Sequence, residues 1–235
     1  MSFEPVMPPY NASDPSASFL SASCLDFLLI EIVPLAYRVT NQLEVSALED
    51  AAAASNSANP SAVAAAGATT TIAATSAAGG GTAQGGAGGR RAAMDEEEER
   101  EAVFYRLDTI GYRVGQGLVE RFSRDRPRFN DTLDVIKFLC KDLWTLVFRK
   151  QVDNLKTNHR GVYVLTDNNF RPFARMSTEA GGQAVVRAQP FLWFPCGIVR
   201  GALAAMGINA TVQAESSELP AAVFQIKTIS TNKSL

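Results

Sequence analysis

Three glycines inside a helical pattern constrain this chain more than any other feature. From Val103 to Phe122 apolar residues recur every three or four positions, which is the spacing of one face of an α-helix. Gly111, Gly115 and Gly117 interrupt that pattern, and each costs about 1 kcal/mol relative to alanine in a helix interior. The pattern therefore predicts that a ligand or another helix comes close to this helix.

The surrounding residues decide between a phosphate-binding loop and a packing groove. A phosphate loop places its glycines between a strand and a helix start and often closes with Lys-Ser or Lys-Thr, whereas Gly117 is followed by Leu-Val-Glu and no strand pattern precedes it. Gly111 and Gly115 share one face, and Gly197 and Gly201 repeat their spacing. We therefore expect close helix packing, either within this chain or with a partner.

Composition predicts one folded domain with a long insertion. Residues 51–93 contain 18 alanines, 8 glycines and no aromatic residue, so burial there cannot offset the entropy of ordering. We predict a disordered N-terminus at 1–18, the first helix of the domain at 19–50 and a disordered Ala/Gly-rich insertion at 51–93. The remainder of the single domain then spans 94–230.

The charge is divided unevenly along the chain. Residues 1–99 hold 12 acidic and 3 basic residues, whereas residues 100–235 hold 12 acidic and 19 basic ones. The acidic run at 95–99 is interpreted as a helix start that suits the helix dipole, or as an interaction tail. Arg124, Arg126 and Arg128 could contact phosphate groups of lipid or nucleic acid, or form a solvated turn.

Metal, cofactor and catalytic chemistry have little support in the sequence. Cys24, Cys140 and Cys196 are widely spaced in apolar surroundings, so we expect free buried thiols in a reducing compartment. His159 is the only histidine and no Cys or His pair has ligand spacing, so no zinc site is predicted. No Ser, Cys or Asp lies in a recognisable nucleophile turn, so no catalytic residue or cofactor is predicted. No signal peptide or transmembrane span fits the apolar stretch at 25–39.

Periodicity predicts four main helices and four strands. The expected helices are 19–48 with a kink at Pro34, 95–124, 130–155, and 188–206 closed by Gly207. The expected strands are 162–166 and 170–176 as one hairpin, followed by 210–215 and 223–228 as a second. The predicted fold class is α+β, with the helices packed on a small, largely antiparallel four-stranded sheet.

Several runs of residues resemble a known family. They read GYRVGQGLVERF at 111–122, DVIKFLCKDLW at 134–144, KQVDNLKTNHRGVYVL at 150–165 and FPCGIVRG at 194–201. Together they resemble the small subunits of the transport protein particle, TRAPP, within the BET-three superfamily, and among these the subunit-six, or yeast 33-type, family. The insertion at 51–93 departs from the compact members of the family.

The resemblance implies a non-catalytic subunit of a vesicle-tethering complex. That complex is a multisubunit guanine nucleotide exchange factor for a Rab-type GTPase in ER-to-Golgi and Golgi traffic. The implied location is cytoplasmic, peripheral to Golgi and ER-derived membranes. The implied partners are other TRAPP subunits, above all a BET-three-type subunit in a heterodimer, with an indirect link to the GTPase and no nucleic acid.

The family arrangement implies that the first two helices face the partner. The candidate interface residues are then Leu28, Ile32, Leu107, Gly111, Val114, Gly115 and Leu118. BET-three-type relatives carry an acylated cysteine before the third helix, but the corresponding stretch here, 124–129, reads RDRPRF, so no acylation is expected. Arg124, Arg126 and Arg128 are the candidate membrane-facing residues.

Two other classes of function remain open at this point. Relatives of this fold bind hydrophobic ligands, so the chain could be a small ligand- or lipid-binding module, provided that its many aromatic residues leave a cavity. A nucleic-acid module is supported only by the arginine cluster.

Overall fold

The chain forms six α-helices and one four-stranded sheet in the part that the structure describes. A computed structural model of the protein describes residues 21–57, 95–158, 160–176 and 183–229. The helices are α1 (Ala22–Ser57), α2 (Glu96–Phe122), α3 (Thr132–Phe138), α4 (Trp144–Phe148), α5 (Gln183–Ala188) and α6 (Trp193–Ala205). The strands are β1 (Asn154–Thr157), β2 (Val162–Asp167), β3 (Ala210–Glu215) and β4 (Ala222–Thr228).

The strands lie in the order β1-β2-β4-β3, and every neighbouring pair is antiparallel. Buried and more open residues alternate along β2 and through most of β4, as expected for a sheet with one face on the core. The predicted α+β class with an antiparallel four-stranded sheet is confirmed.

Trp144 is the centre of the core between helix and sheet. Its ring lies 4.6 Å from that of Phe148 and 5.1 Å from that of Phe224, between ring centroids. Phe170 lies 4.9 Å from Phe148 and 5.2 Å from Phe173. These rings are all at most 3% exposed, so α4 is fixed to the inner face of the sheet by aromatic packing.

The first helix is longer than predicted. It continues to Ser57, so the first seven residues of the predicted disordered insertion are helical, consistent with the high helix propensity of alanine. The predictions of disorder for 1–18 and for the rest of the insertion concern residues outside the described part. The acidic run does form a helix start, because α2 begins directly after Asp95.

The prediction of a third helix that continues to residue 155 was wrong. Helix α3 passes through a π-helical turn, Leu139–Leu143, into α4, which ends at Phe148. Arg149 follows in the left-handed conformation, with φ of 63°, and this reversal ends the helix. Residues 154–157 then form the edge strand β1, which pairs with β2.

The first predicted hairpin was also wrong. Strand β2 pairs with β1 and β4, and the stretch expected to be its partner contains a 3₁₀ turn, Arg171–Phe173. Pro172 lacks the N–H that a ladder needs, and Phe173 packs into the core. The second hairpin, β3 with β4, is confirmed.

The last predicted helix is divided. A 3₁₀ segment, Gln189–Leu192, separates α5 from α6. Gly207 closes α6 as predicted, with φ of 79° and with its neighbour Ile208 donating an N–H to the Leu203 carbonyl at 2.9 Å. This is a Schellman-type helix end, for which glycine is suited.

Candidate functional site: helix faces on α1 and α2

Helix α1 is attached to the domain along one narrow stripe. Leu29, Val33, Ala36 and Thr40 recur at four, three and four positions and are all at most 7% exposed, which places them on one face. The Arg106 Nε on α2 donates a hydrogen bond to the Thr40 hydroxyl at 3.0 Å. Most of the circumference of α1 therefore remains open.

The open surface of α1 carries large apolar side chains on two flanks. Leu28 and Leu35 are 55% and 45% exposed and lie on one flank, which also contains the half-buried Ile32. Phe27 and Ile30 are 64% and 43% exposed and, at 3.6 residues per turn, lie on the opposite flank. We call the first flank, Leu28, Ile32 and Leu35, the pairing stripe.

An ion pair separates these two flanks. The Arg38 guanidinium contacts the Glu31 carboxylate on the outer side of α1, and both side chains are exposed. The two apolar flanks are therefore distinct surfaces, each with two or three exposed or half-buried apolar side chains.

Helix α2 adds a partly open apolar line. Leu107, Val114 and Leu118 lie close to one face of the helix. Leu107 is fully buried, Leu118 is half-buried, and Val114 is 39% exposed. The second half of α2 therefore presents apolar surface that the described residues do not cover.

The glycine notch receives a helix of this same chain. A Cβ atom placed on Gly111 would lie 2.2 Å from the Phe194 carbonyl oxygen of α6, and one on Gly115 would lie 2.1 Å from that of Ile198. The reciprocal positions on α6, Gly197 and Gly201, meet the carbonyl oxygens of α2 at 2.2 and 2.0 Å. These two helices approach so closely that only hydrogen atoms fit between their backbones.

This contact removes three residues from the predicted partner interface. Gly111 and Gly115 are covered by α6, and Leu107 lies in the core with no exposed surface, so none of the three can touch another chain in this fold. Leu28 and Val114 are open to a partner, while Ile32 and Leu118 are half-buried. A Cβ atom placed on the third glycine of the pattern, at position 117, would meet no atom within 4 Å, so that glycine takes no part in the notch.

The predicted membrane-facing arginines are not equivalent. Arg124 and Arg128 are exposed, but Arg126 forms a 2.8 Å ion pair with Asp142. Its guanidinium also lies 4.8 Å from the centre of the Phe138 ring. Arg126 therefore fastens the turn between α2 and α3 to the domain, which makes it a less suitable membrane-facing residue than Arg124 and Arg128.

A buried carboxylate that the sequence pattern did not indicate joins helix, strand and loop. Asp167 is fully buried and accepts hydrogen bonds from Trp144 Nε1 at 2.8 Å, Lys150 Nζ at 2.6 Å and the Asn169 N–H at 3.1 Å. Such a carboxylate is stable in the interior only when it is fully paired. Sequence spacing gives no signal for this group, because its partners come from three segments.

Lys150 also contacts Asp153, at 2.7 Å. The hydrogen bond from Lys150 holds the pKa of the Asp153 carboxyl below its usual range, and the Asn168 N–H adds to this. Burial lowers the pKa of Lys150, but its hydrogen bonds to Asp153 and Asp167 outweigh burial and raise the pKa overall. These charges are used in structural contacts.

A second ion-pair group fixes the beginning of α1. The Asp26 carboxylate accepts a 2.6 Å hydrogen bond from Arg171 Nε and lies 3.6 Å from the Arg175 guanidinium. The hydrogen bond from Arg171 is the main reason that the pKa of Asp26 is lowered. The notch beside these residues has a volume of about 10 Å³, room for roughly one water molecule.

The cysteines divide into two buried thiols and one exposed thiol. Burial raises the pKa of Cys140 to about 12 and raises that of Cys196 further. Cys24 is exposed, which corrects the prediction that all three are buried. His159 lies outside the described residues. Within the described ranges no group of His, Cys, Asp and Glu side chains could hold a metal ion.

No helix in the described ranges has both the length and the apolar character needed to cross a bilayer. The space between α4 and the sheet is filled by aromatic rings, so a ligand-binding interior gains no support there.

These features define a class of α+β domain that exposes apolar helix faces. The family described as "Transport protein particle (TRAPP) component" matches residues 25–229. The chain belongs to this family.

Individual relatives indicate which type of TRAPP subunit the chain resembles. The zebrafish (Danio rerio) trafficking protein particle complex subunit 6b is 56% identical over 121 residues, which cover 52% of this chain and 76% of that protein. The human (Homo sapiens) subunit 6B is 54% identical over 121 residues, covering 52% and 75% of the two chains, and human subunit 6A is 49% identical over 120 residues, covering 51% and 74%. The chain is thus similar to subunits of the subunit-six type, as the sequence predicts.

A solved structure shows a more distant likeness. It is the trafficking protein particle complex subunit 3 of Naegleria fowleri covalently bound to palmitic acid, with a TM-score of 0.47 and 14% identity, covering 56% of this chain and 82% of that one.

Proposed function

We propose that this chain is a non-catalytic core subunit of a TRAPP vesicle-tethering complex and that it pairs with a BET-three-type subunit through the pairing stripe. The observation that carries the proposal is the exposure of Leu28 and Leu35 on a helix that is held to the core by the neighbouring face from Leu29 to Thr40. Subunits 6A and 6B, its relatives, are named as components of a trafficking complex. On α2, Val114 and Leu118 extend the proposed contact.

The pairing is tested by co-expression of the full chain with a tagged BET-three-type subunit. Leu28→Ser with Leu35→Ser is expected to weaken recovery about tenfold or more, because only about half of each leucine is left for a partner to bury, and full burial of a leucine contributes about 1.5–3 kcal/mol. The matched control is Phe27→Ser with Ile30→Ser, on the opposite flank of the same helix. Equal recovery of the first variant and the wild type, or equal loss in the control, contradicts the proposed surface.

We propose further that the complex acts as a guanine nucleotide exchange factor for a Rab-type GTPase in ER-to-Golgi and Golgi traffic. In this role the chain supplies structure, and its location is cytoplasmic, peripheral to those membranes. The use of Asp167, Lys150 and Asp153 in internal contacts supports a role without chemistry of its own. The chain alone is expected to leave the rate of GDP release from the GTPase unchanged, whereas acceleration by the chain alone refutes this.

The alternative of a hydrophobic ligand-binding module has less support. The aromatic packing of Trp144, Phe170 and Phe224 occupies the space beside α4 that such a ligand would need. A monomer that retains a native lipid after purification would favour this alternative. For peripheral membrane contact, Arg124 and Arg128 remain available as exposed basic side chains. Arg126, between them, is engaged by Asp142.

A further inference from the structure

Basic groups surround the beginning of α1. Arg171 and Arg175 both contact Asp26, and Arg149 is close enough to act electrostatically on the same carboxylate. Two guanidinium groups therefore contact one carboxylate, and a third lies within electrostatic range of it. The first turn of α1 holds no acidic residue, and Asp26 in the next turn is already paired with Arg171.

Apolar side chains lie beside this charge. Ile30 lines the same notch as Arg171 and Arg175, and Phe27, 64% exposed, projects from the neighbouring position on the helix. This flank lies opposite the pairing stripe, so a partner on that stripe leaves it free. We call the group Phe27, Ile30, Arg149, Arg171 and Arg175 the α1-start surface.

The composition of this surface favours a membrane as its partner. The notch of about 10 Å³ holds roughly one water molecule, so the surface offers no deep pocket. The surface is therefore an exposed helix flank that carries an aromatic ring beside guanidinium groups. An aromatic ring suits the interface of a bilayer, where its apolar body can enter while cations remain at the headgroups.

We infer that the α1-start surface contacts an anionic lipid bilayer, with Phe27 and Ile30 entering the interface and Arg149 and Arg175 at the lipid phosphates. This rests on the proposed peripheral location and assigns it to residues. The turn between α2 and α3 is less suitable, because its exposed arginines, Arg124 and Arg128, alternate there with the exposed Asp125 and Asp131.

The test is flotation of the full chain with vesicles of phosphatidylcholine alone and of phosphatidylcholine with phosphatidylserine. Arg149→Asn with Arg175→Gln is expected to lower partition to anionic vesicles about 25-fold, since each basic residue near such a surface contributes about fivefold. Asparagine is chosen because it tolerates the left-handed backbone of Arg149. Arg171 is left unchanged because it holds Asp26.

Two further variants separate the possible outcomes. Phe27→Ser is expected to reduce partition as well, and Lys156→Gln with Lys227→Gln, an equal charge change on exposed sheet residues, is expected to leave it near the wild-type value. If Arg149→Asn with Arg175→Gln partitions to anionic vesicles as strongly as the wild type, the inference is overturned. If partition is lost in Arg124→Gln with Arg128→Gln but not in Arg149→Asn with Arg175→Gln, the membrane contact lies at the α2–α3 turn, and the inference is also overturned.

Failure of this inference is distinct from failure of the proposed pairing. All these variants leave Leu28 and Leu35 intact, so recovery of the BET-three-type subunit is measured in parallel. Lost flotation with retained pairing supports the α1-start surface, and retained flotation with retained pairing refutes this surface alone.

Discussion

The glycine contact between α2 and α6 makes a prediction whose sign depends on two opposing effects. Alanine at Gly115 gains about 1 kcal/mol from helix propensity. Its Cβ atom, however, would lie 2.1 Å from the Ile198 carbonyl oxygen and 2.8 Å from the Ala202 nitrogen, where ordinary contact begins at 3.4 Å. The oxygen must therefore retreat by about 1.3 Å, the difference between 2.1 and 3.4 Å.

Neither the Ile198 oxygen nor the Ala202 nitrogen can move alone, because both atoms belong to the backbone of α6. Separating the helices by such a distance forfeits about a quarter to a half of the dispersion energy of the contacting atoms, and overpacking of this kind costs about 3 kcal/mol. The net expectation for Gly115→Ala is a loss of about 2 kcal/mol after the propensity gain is subtracted. For a chain of this size the melting temperature should fall by about 4–8 °C.

The same helix provides a matched control. A Cβ atom added at Gly117 would have no neighbour within 4 Å, so Gly117→Ala gains the propensity term alone and should raise the melting temperature by about 2–4 °C. Thermal unfolding of the full chain, followed by circular dichroism, measures both. A Gly115→Ala protein that melts at or above the wild-type temperature refutes the reasoning.

Two other predictions concern ionisable groups. The pKa of Asp153 is lowered in the folded protein, so its contact with Lys150 stabilises the fold above a pH of about 4 and this stabilisation is lost as the pH falls through the lower folded-state pKa. The difference in urea midpoint between the wild type and Asp153→Asn should therefore shrink with acidification. An unchanged difference at a pH of about 2 contradicts this. In a thiol assay of the native chain, the exposed Cys24 should react fast. Cys140 and Cys196 should react only after unfolding, because both thiols are buried and have raised pKa values. Fast reaction of all three would show an open core.

The elements that the sequence predicts well are those with local signals. The acidic run marks the start of α2, Gly207 marks the end of α6, and alternation marks β3 and β4. Each of these depends on residues within one or two turns of each other. The exposed flank of α1 also follows from periodicity, because a broad apolar stripe exceeds what one packing contact can cover.

The missed features depend on distant residues. Helix α4 ends before Arg149, which has a left-handed backbone although arginine has no preference for that conformation. The sequence therefore gives no stop signal there, and its periodicity predicts a helix that continues into β1. Residues 170–176 follow a turn-like Asp-Asn-Asn run and are therefore predicted as a strand, although Phe170 and Phe173 pack in the core beside α4. Periodicity likewise shows that Gly115 makes a notch without showing which helix fills it.

The narrow attachment of α1 has a consequence for hydrogen exchange. A helix held along one face, here the residues from Leu29 to Thr40 together with the Asp26 ion pair, can detach at a smaller free energy than the global unfolding of the domain. The amides of α1 should therefore exchange faster than those of α6 when the chain is alone. A partner seated on the pairing stripe would slow them by mass action, so assembly would complete the ordering of the first helix.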